Sequence, residues 1–152
     1  DFMLSVDFSF IEEFINNEMT DKVNKTTKEI LKLFDEMEVA LAAQKIINLV
    51  DETNKYVNDT APWALKKQEK MTECGRVLYT VLNIMAHVAI LIEPYCPNIA
   101  ADMAKQLKID VNQKFASMKD NMINAGKLIS KEEIHPVFLR LDSEIMGAKK
   151  KA

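Results

Sequence analysis

Val77-Leu78-Tyr79-Thr80-Val81-Leu82-Asn83-Ile84-Met85-Ala86-His87-Val88-Ala89-Ile90-Leu91-Ile92 is the most apolar run of the chain. It is shorter than a bilayer span, contains Asn83 and His87, and is flanked by Arg76 and Glu93, so it reads as a buried helix of a globular core. Extended back to Thr72, the pattern gives a helix from about Thr72 to Glu93 that is apolar on more than half its circumference. A helix of that kind has to be covered by others, which makes it the centre of the fold.

Downstream, Pro94 and Pro97 end this helix, and Pro97-Asn98-Ile99-Ala100 opens another to about Leu107 with Ile99, Met103 and Leu107 inward. Upstream, Val39, Ala42, Ala43, Ile46, Leu49, Val50, Thr53 and Tyr56 form one stripe of a helix from about Glu38 to Val57. Asn58-Asp59-Thr60 read as a turn, and Pro62 suits the first turn of a new helix, where its missing N–H would be unbonded anyway. Before these, Thr20 as an N-cap followed by Val23, Thr27, Ile30, Leu31 and Phe34 predicts a helix from about Asp21 to Glu36. Residues 1–20 read as an extended lead followed by a short helix. Residues 112–124 read as a short helix or loop and residues 126–141 as irregular. A short closing helix is expected from Asp142 to Met146, with residues 143–152 as a tail.

Strand signals are nearly absent, and 152 residues with 48% hydrophobic and 28% charged side chains suit one all-α domain spanning residues 1–152. Cys74 and Cys96 have no Cys-x-x-Cys spacing and no nearby His pair, so reduced thiols in a cytoplasmic protein are expected and neither zinc nor a disulfide framework is suggested. No secretory leader is indicated at the N-terminus. His87 and His135 lack ligand-spaced partners and read as structural, with no metal site expected. Glu12-Glu13 and Asp35-Glu36 are surface neighbours, so no acid–base pair is visible. The net charge of −3 argues weakly against nucleic acid, but residues 1–38 hold ten acids and four lysines, leaving about +3 for the rest. A basic partner surface would therefore lie after residue 38.

Trp63 is the sole tryptophan. On composition alone it would be a core residue. Its place just after a turn and a helix-opening proline, and just before Lys66 and Lys67, puts it at a corner where a ring can meet solvent beside basic charge. Asn54 could offer its amide to a base or ribose or bond local backbone. Lys55 and Lys67 could meet phosphates or form a solvated face.

Asn54-Lys55-Tyr56-Val57-Asn58-Asp59-Thr60-Ala61-Pro62-Trp63, then Leu65 and Lys67, resembles the anticodon-reading segment of methionyl-tRNA synthetases. The similarity continues through Val77-Leu78-Tyr79 and Ile92-Glu93-Pro94-Tyr95-Cys96-Pro97. It reappears at Ala125-Gly126-Lys127 and His135-Pro136-Val137-Phe138-Leu139-Arg140-Leu141-Asp142, covering roughly residues 34–142. The resemblance implies an antiparallel α-helical bundle of the class I aminoacyl-tRNA synthetase anticodon-binding type. Its partners would be the anticodon loop of methionine tRNAs, read as CAU, and the catalytic domain of the same enzyme, with no membrane and no DNA. Trp63, Asn54, Lys55 and Lys67 would be the RNA-binding residues.

No segment resembles the His-x-Gly-His or Lys-Met-Ser-Lys-Ser motifs of the family's catalytic domain. These residues are expected to hold no cofactor and perform no aminoacylation, ATP and methionine being used by the catalytic domain. The Asn and Arg with which the family bonds the first anticodon base find no convincing match in residues 1–17. The equivalent domain of another class I synthetase, or a helical protein-interaction module that has lost tRNA binding, are the competing readings.

Overall fold

The structure, a computed structural model, describes residues 17–109. Five helices follow in order: α1 (Asn17–Asp35), α2 (Val39–Thr60), α3 (Pro62–Lys67), α4 (Met71–Leu91) and α5 (Pro97–Leu107). With no strand among the described residues, the all-α expectation holds.

α1 and α2 form an antiparallel hairpin whose register is fixed by charge as well as by apolar packing. Lys45 Nζ lies 2.6 Å from Glu29 Oε2, and Lys22 Nζ lies 3.0 Å from Glu52 Oε2. Both pairs are symmetric about Met37, eight residues and fifteen residues to either side, as a closed hairpin centred there requires. Each pair is half-exposed, so each contributes at most about 1 kcal/mol to holding this register. The Lys45 ammonium holds the Glu29 carboxyl below its usual range.

Beneath the pairs, Val23 and Ile30 of α1 and Ala42, Ile46 and Leu49 of α2 pack with Ile84, Val88 and Leu91 of α4. α4 packs against each of the other four helices. By length and composition it could cross a membrane, but 72% of its most apolar window is buried inside this fold. Its bounds, Met71–Leu91, lie within two residues of the expected Thr72 to Glu93, and it is a core helix as expected.

Helix ends are closed by backbone geometry. Met37, Glu69 and Lys108 take left-handed conformations with φ of 60°, 58° and 55°. The following N–H then reaches back five residues: Glu38 to the Leu33 carbonyl at 2.8 Å, Lys70 to Leu65 at 3.0 Å and Ile109 to Ala104 at 3.0 Å. This is the Schellman arrangement, usually built on glycine. Here it uses larger residues, in a chain with only three glycines.

Two expectations are corrected and one is extended. Thr20 is not an N-cap, because it lies inside α1 (Asn17–Asp35). Met103 packs against the core as expected, with Ile99 and Leu107 also partly buried, but the residues of α5 buried most fully are Ala100 and Ala104, whose small side chains let helix backbones approach closely. Val39 and Tyr56 flank the α2 stripe, but Val39 is exposed. The expectations for residues 1–16 and 110–152 lie outside the described residues.

Tyr95, just past α4, ties the bundle's end together. Its hydroxyl donates to the Val39 carbonyl at 2.6 Å, and its ring lies 6.0 Å from that of Phe34. The Thr27 hydroxyl, buried in α1, has no hydrogen-bond partner among the described residues. An unpaired buried hydroxyl costs about 1 to 3 kcal/mol, so Thr27→Val should raise the unfolding free energy by about 1 kcal/mol in urea titration. Leu91→Ala, at the centre of the core, should lower it by about 2 to 5 kcal/mol.

Candidate nucleic-acid interface

The corner that carries Trp63 is made by one residue. α2 does not stop at Asn58 as expected but runs through Asn58-Asp59-Thr60. Thr60 Oγ1 donates to the Tyr56 carbonyl at 2.6 Å, so the hydroxyl is satisfied within its own helix and does not cap the next one. What ends α2 is Pro62, whose ring disfavours the right-handed helical conformation in the residue before it. Ala61 leaves the right-handed region but takes φ 42° and ψ 65°, in the left-handed region and not in the extended one usual before proline.

Ala61 also serves both helices. Its N–H donates to the Val57 carbonyl at 2.9 Å, completing α2. Its carbonyl accepts from Ala64 N–H at 2.8 Å and Leu65 N–H at 3.2 Å, beginning α3. A two-helix corner with a single linking residue leaves little freedom of direction.

Trp63, the second residue of α3, is 55% exposed, whereas Pro62 before it is buried. An exposed indole ring is a face on which a nucleobase can stack. Lys67 follows four residues later on the same face of α3 and is exposed. Lys66, also exposed, stands close enough to the buried Cys74 thiol to act on it electrostatically.

Asn54 and Lys55 are both exposed near the end of α2, about 100° apart around its axis. Lys55 shares its side with Glu52, three residues earlier, which pairs with Lys22 of α1. Neither Lys55 nor Lys67 has an ion-pair partner among the described residues. The helical geometry thus brings Trp63 and Lys67 together and turns Lys55 to a different side from Asn54.

Asn58, treated as a turn residue in the sequence, is helical, exposed and one turn beyond Asn54 on the same side. The Asn-x-x-x-Asn spacing would have found it, had the helix been extended to Pro62.

Cys74, in the first turn of α4, is 1% exposed, and its Sγ donates to the Pro62 carbonyl at 3.2 Å. Burial pushes this thiol up, and the Lys66 ammonium partly opposes that. His87 is buried in α4, with Nδ1 2.8 Å from the Asn83 carbonyl, a structural placement as expected.

The described residues thus form an all-α bundle that holds a solvated tryptophan and a lysine at a helix corner. Comparison with known proteins identifies the family. Residues 11–140 match the anticodon binding domain of methionyl tRNA ligase. The methionine–tRNA ligase of Rickettsia felis is 32% identical over 127 residues, covering 81% of this chain and 24% of that enzyme. Those of Caldanaerobacter subterraneus subsp. tengcongensis and Listeria monocytogenes are 30% identical over 135 residues and 31% over 131, covering 88% and 84% of this chain. They match over 21% and 20% of their own lengths. The chain belongs to the methionyl-tRNA ligase anticodon-binding family and spans about a quarter or less of the length of these curated relatives.

Two predictions follow from the corner. Alanine already bears part of the left-handed penalty and a β-branched side chain adds to it, so Ala61→Val should lower the unfolding free energy by about 1 kcal/mol in urea titration. The raised Cys74 value means that its contribution is complete below the ordinary thiol value of 9.0 and is lost as pH rises through the folded one. Unfolding free energy should therefore decline above that pH in urea titrations, and decline less in Cys74→Ala.

Proposed function

We propose that this chain reads the CAU anticodon of methionine tRNAs for a methionine–tRNA ligase, with Trp63 as a stacking platform. The observation that carries the reading is a lone tryptophan, 55% exposed at a helix corner, in a chain of the anticodon-binding family. Anticodon bases are recognised by being splayed out, stacked on aromatic faces and bonded along their edges. Trp63 supplies the stacking face, and Lys67, on the same side of α3, neutralises a neighbouring phosphate. Asn54 offers an amide to a base edge or ribose. Lys55, on another side of α2, meets the RNA backbone away from the stacked base. A ring cannot by itself choose cytosine, so base choice rests on edge bonds.

Residues 1–152 act in this reading as one helical domain of a larger cytoplasmic enzyme. ATP and methionine are consumed by a catalytic domain outside these residues, which orients the tRNA together with this one.

The test is a titration of the chain with methionine tRNA and with the same tRNA carrying a changed anticodon. The methionine tRNA should bind more tightly. Trp63→Ala should weaken its binding by about 1 to 3 kcal/mol, and Lys67→Ala should reduce the salt dependence by about one phosphate contact. Equal affinity for the two tRNAs would contradict anticodon reading. Unchanged affinity in Trp63→Ala would remove the stacking role.

A further inference from the structure

α3 has six residues, too few to hold a helical direction without packing. Its orientation must come from what it touches. The N-terminal side is set by Ala61, and the C-terminal side by the left-handed turn at Glu69, where Lys70 N–H reaches the Leu65 carbonyl at 3.0 Å. Trp63 itself contributes little to this, being more than half exposed.

Pro62, immediately before Trp63, is the residue of α3 that is buried, and its carbonyl is the group that α4 grips. The grip is the Cys74 thiol at 3.2 Å, across twelve residues of chain. A carbonyl has two lone pairs, so it can accept the thiol in addition to a helical N–H. Burial keeps the thiol protonated and therefore a donor.

We infer that Cys74 is a positioning residue for Trp63: its bond to the Pro62 carbonyl fixes α3 on α4 and so sets the direction in which the indole faces. The consequence for RNA rests on the stacking reading above, whereas the consequence for the ring does not. Nothing in the local sequence marks this role, since any mid-sized apolar side chain would fill the same space. Only the donor distinguishes cysteine from valine there.

The experiment uses the full chain, in which Trp63 is the only tryptophan and reports without a label. Cys74→Val keeps the apolar bulk and removes the donor, and Cys74→Ser restores a donor. Val77→Ala, in the same buried helix one turn on, serves as a control that loosens packing without touching the bond. Time-resolved anisotropy of the free protein should show wider local motion of Trp63 in Cys74→Val. It should return toward the parent in Cys74→Ser and stay unchanged in Val77→Ala. Methionine tRNA should bind Cys74→Val about threefold to tenfold more weakly, the equivalent of one hydrogen bond.

Unchanged Trp63 anisotropy in Cys74→Val, with the variant folded by circular dichroism, would overturn the inference, as would an equal change in Val77→Ala. Should Cys74→Val not fold, Cys74→Ala gives the same readout with a smaller side chain. Altered anisotropy with unaltered tRNA affinity would support the positioning role and count against stacking.

Discussion

Pro62 denies Ala61 the right-handed helical conformation, and much of the local architecture is a response to that one steric fact. α2 would otherwise continue, since Thr60 is already satisfied by the Tyr56 carbonyl and nothing in Asn58 or Asp59 stops it. The left-handed turn at Ala61 is unfavourable by about 1 to 2 kcal/mol. It is offset by three backbone hydrogen bonds to Ala61 and by the burial of Pro62. The result is a corner with a defined angle, and Trp63 is the first side chain beyond the buried proline.

A corner of this kind needs a rigid support. α4 provides one: buried from Cys74 to Leu91 along most of its length, it meets α1 and α2 with Ile84, Val88 and Leu91 and grips α3 with Cys74. Each large core side chain contributes about 1.5 to 3 kcal/mol by burial, against at most about 1 kcal/mol for a half-exposed pair such as Lys22–Glu52. The apolar core therefore holds the bundle, and the ion pairs add a little to the register of α1 and α2. Tyr95 joins the far end of α4 back to α2 through the Val39 carbonyl, so the support is held at both ends.

The all-α fold was legible because apolar density along Val77 to Ile92 and the stripes of α1 and α2 need no partner to be recognised. Those signals are periodic and local. Trp63 was legible through proline chemistry and through its family resemblance, and its exposure agrees with both. The left-handed state of Ala61 was not, because Asn, Asp and Thr are common turn formers, whereas alanine rarely adopts that conformation. The inward side of α5 was legible at Met103 but not at Ala100 and Ala104, whose short side chains carry a weaker apolar signal although they are the most deeply buried. The thiol bond from Cys74 to Pro62 joins residues whose proximity exists only after α3 folds onto α4.

On the described surface, an exposed indole at the start of α3 stands near the exposed Lys66 and Lys67 of the same helix. Trp63 and Lys67 share a face by helical spacing, and Asn54 with Asn58 offers amides on a neighbouring helix. In the proposed function, Trp63 is held in water by the Ala61 corner so that RNA can cover it. Acrylamide quenching of Trp63 fluorescence tests it most directly. Quenching should be efficient in the free chain and strongly suppressed at saturating methionine tRNA. An indole already shielded in the free chain, or one equally quenched with and without bound tRNA, would contradict the account.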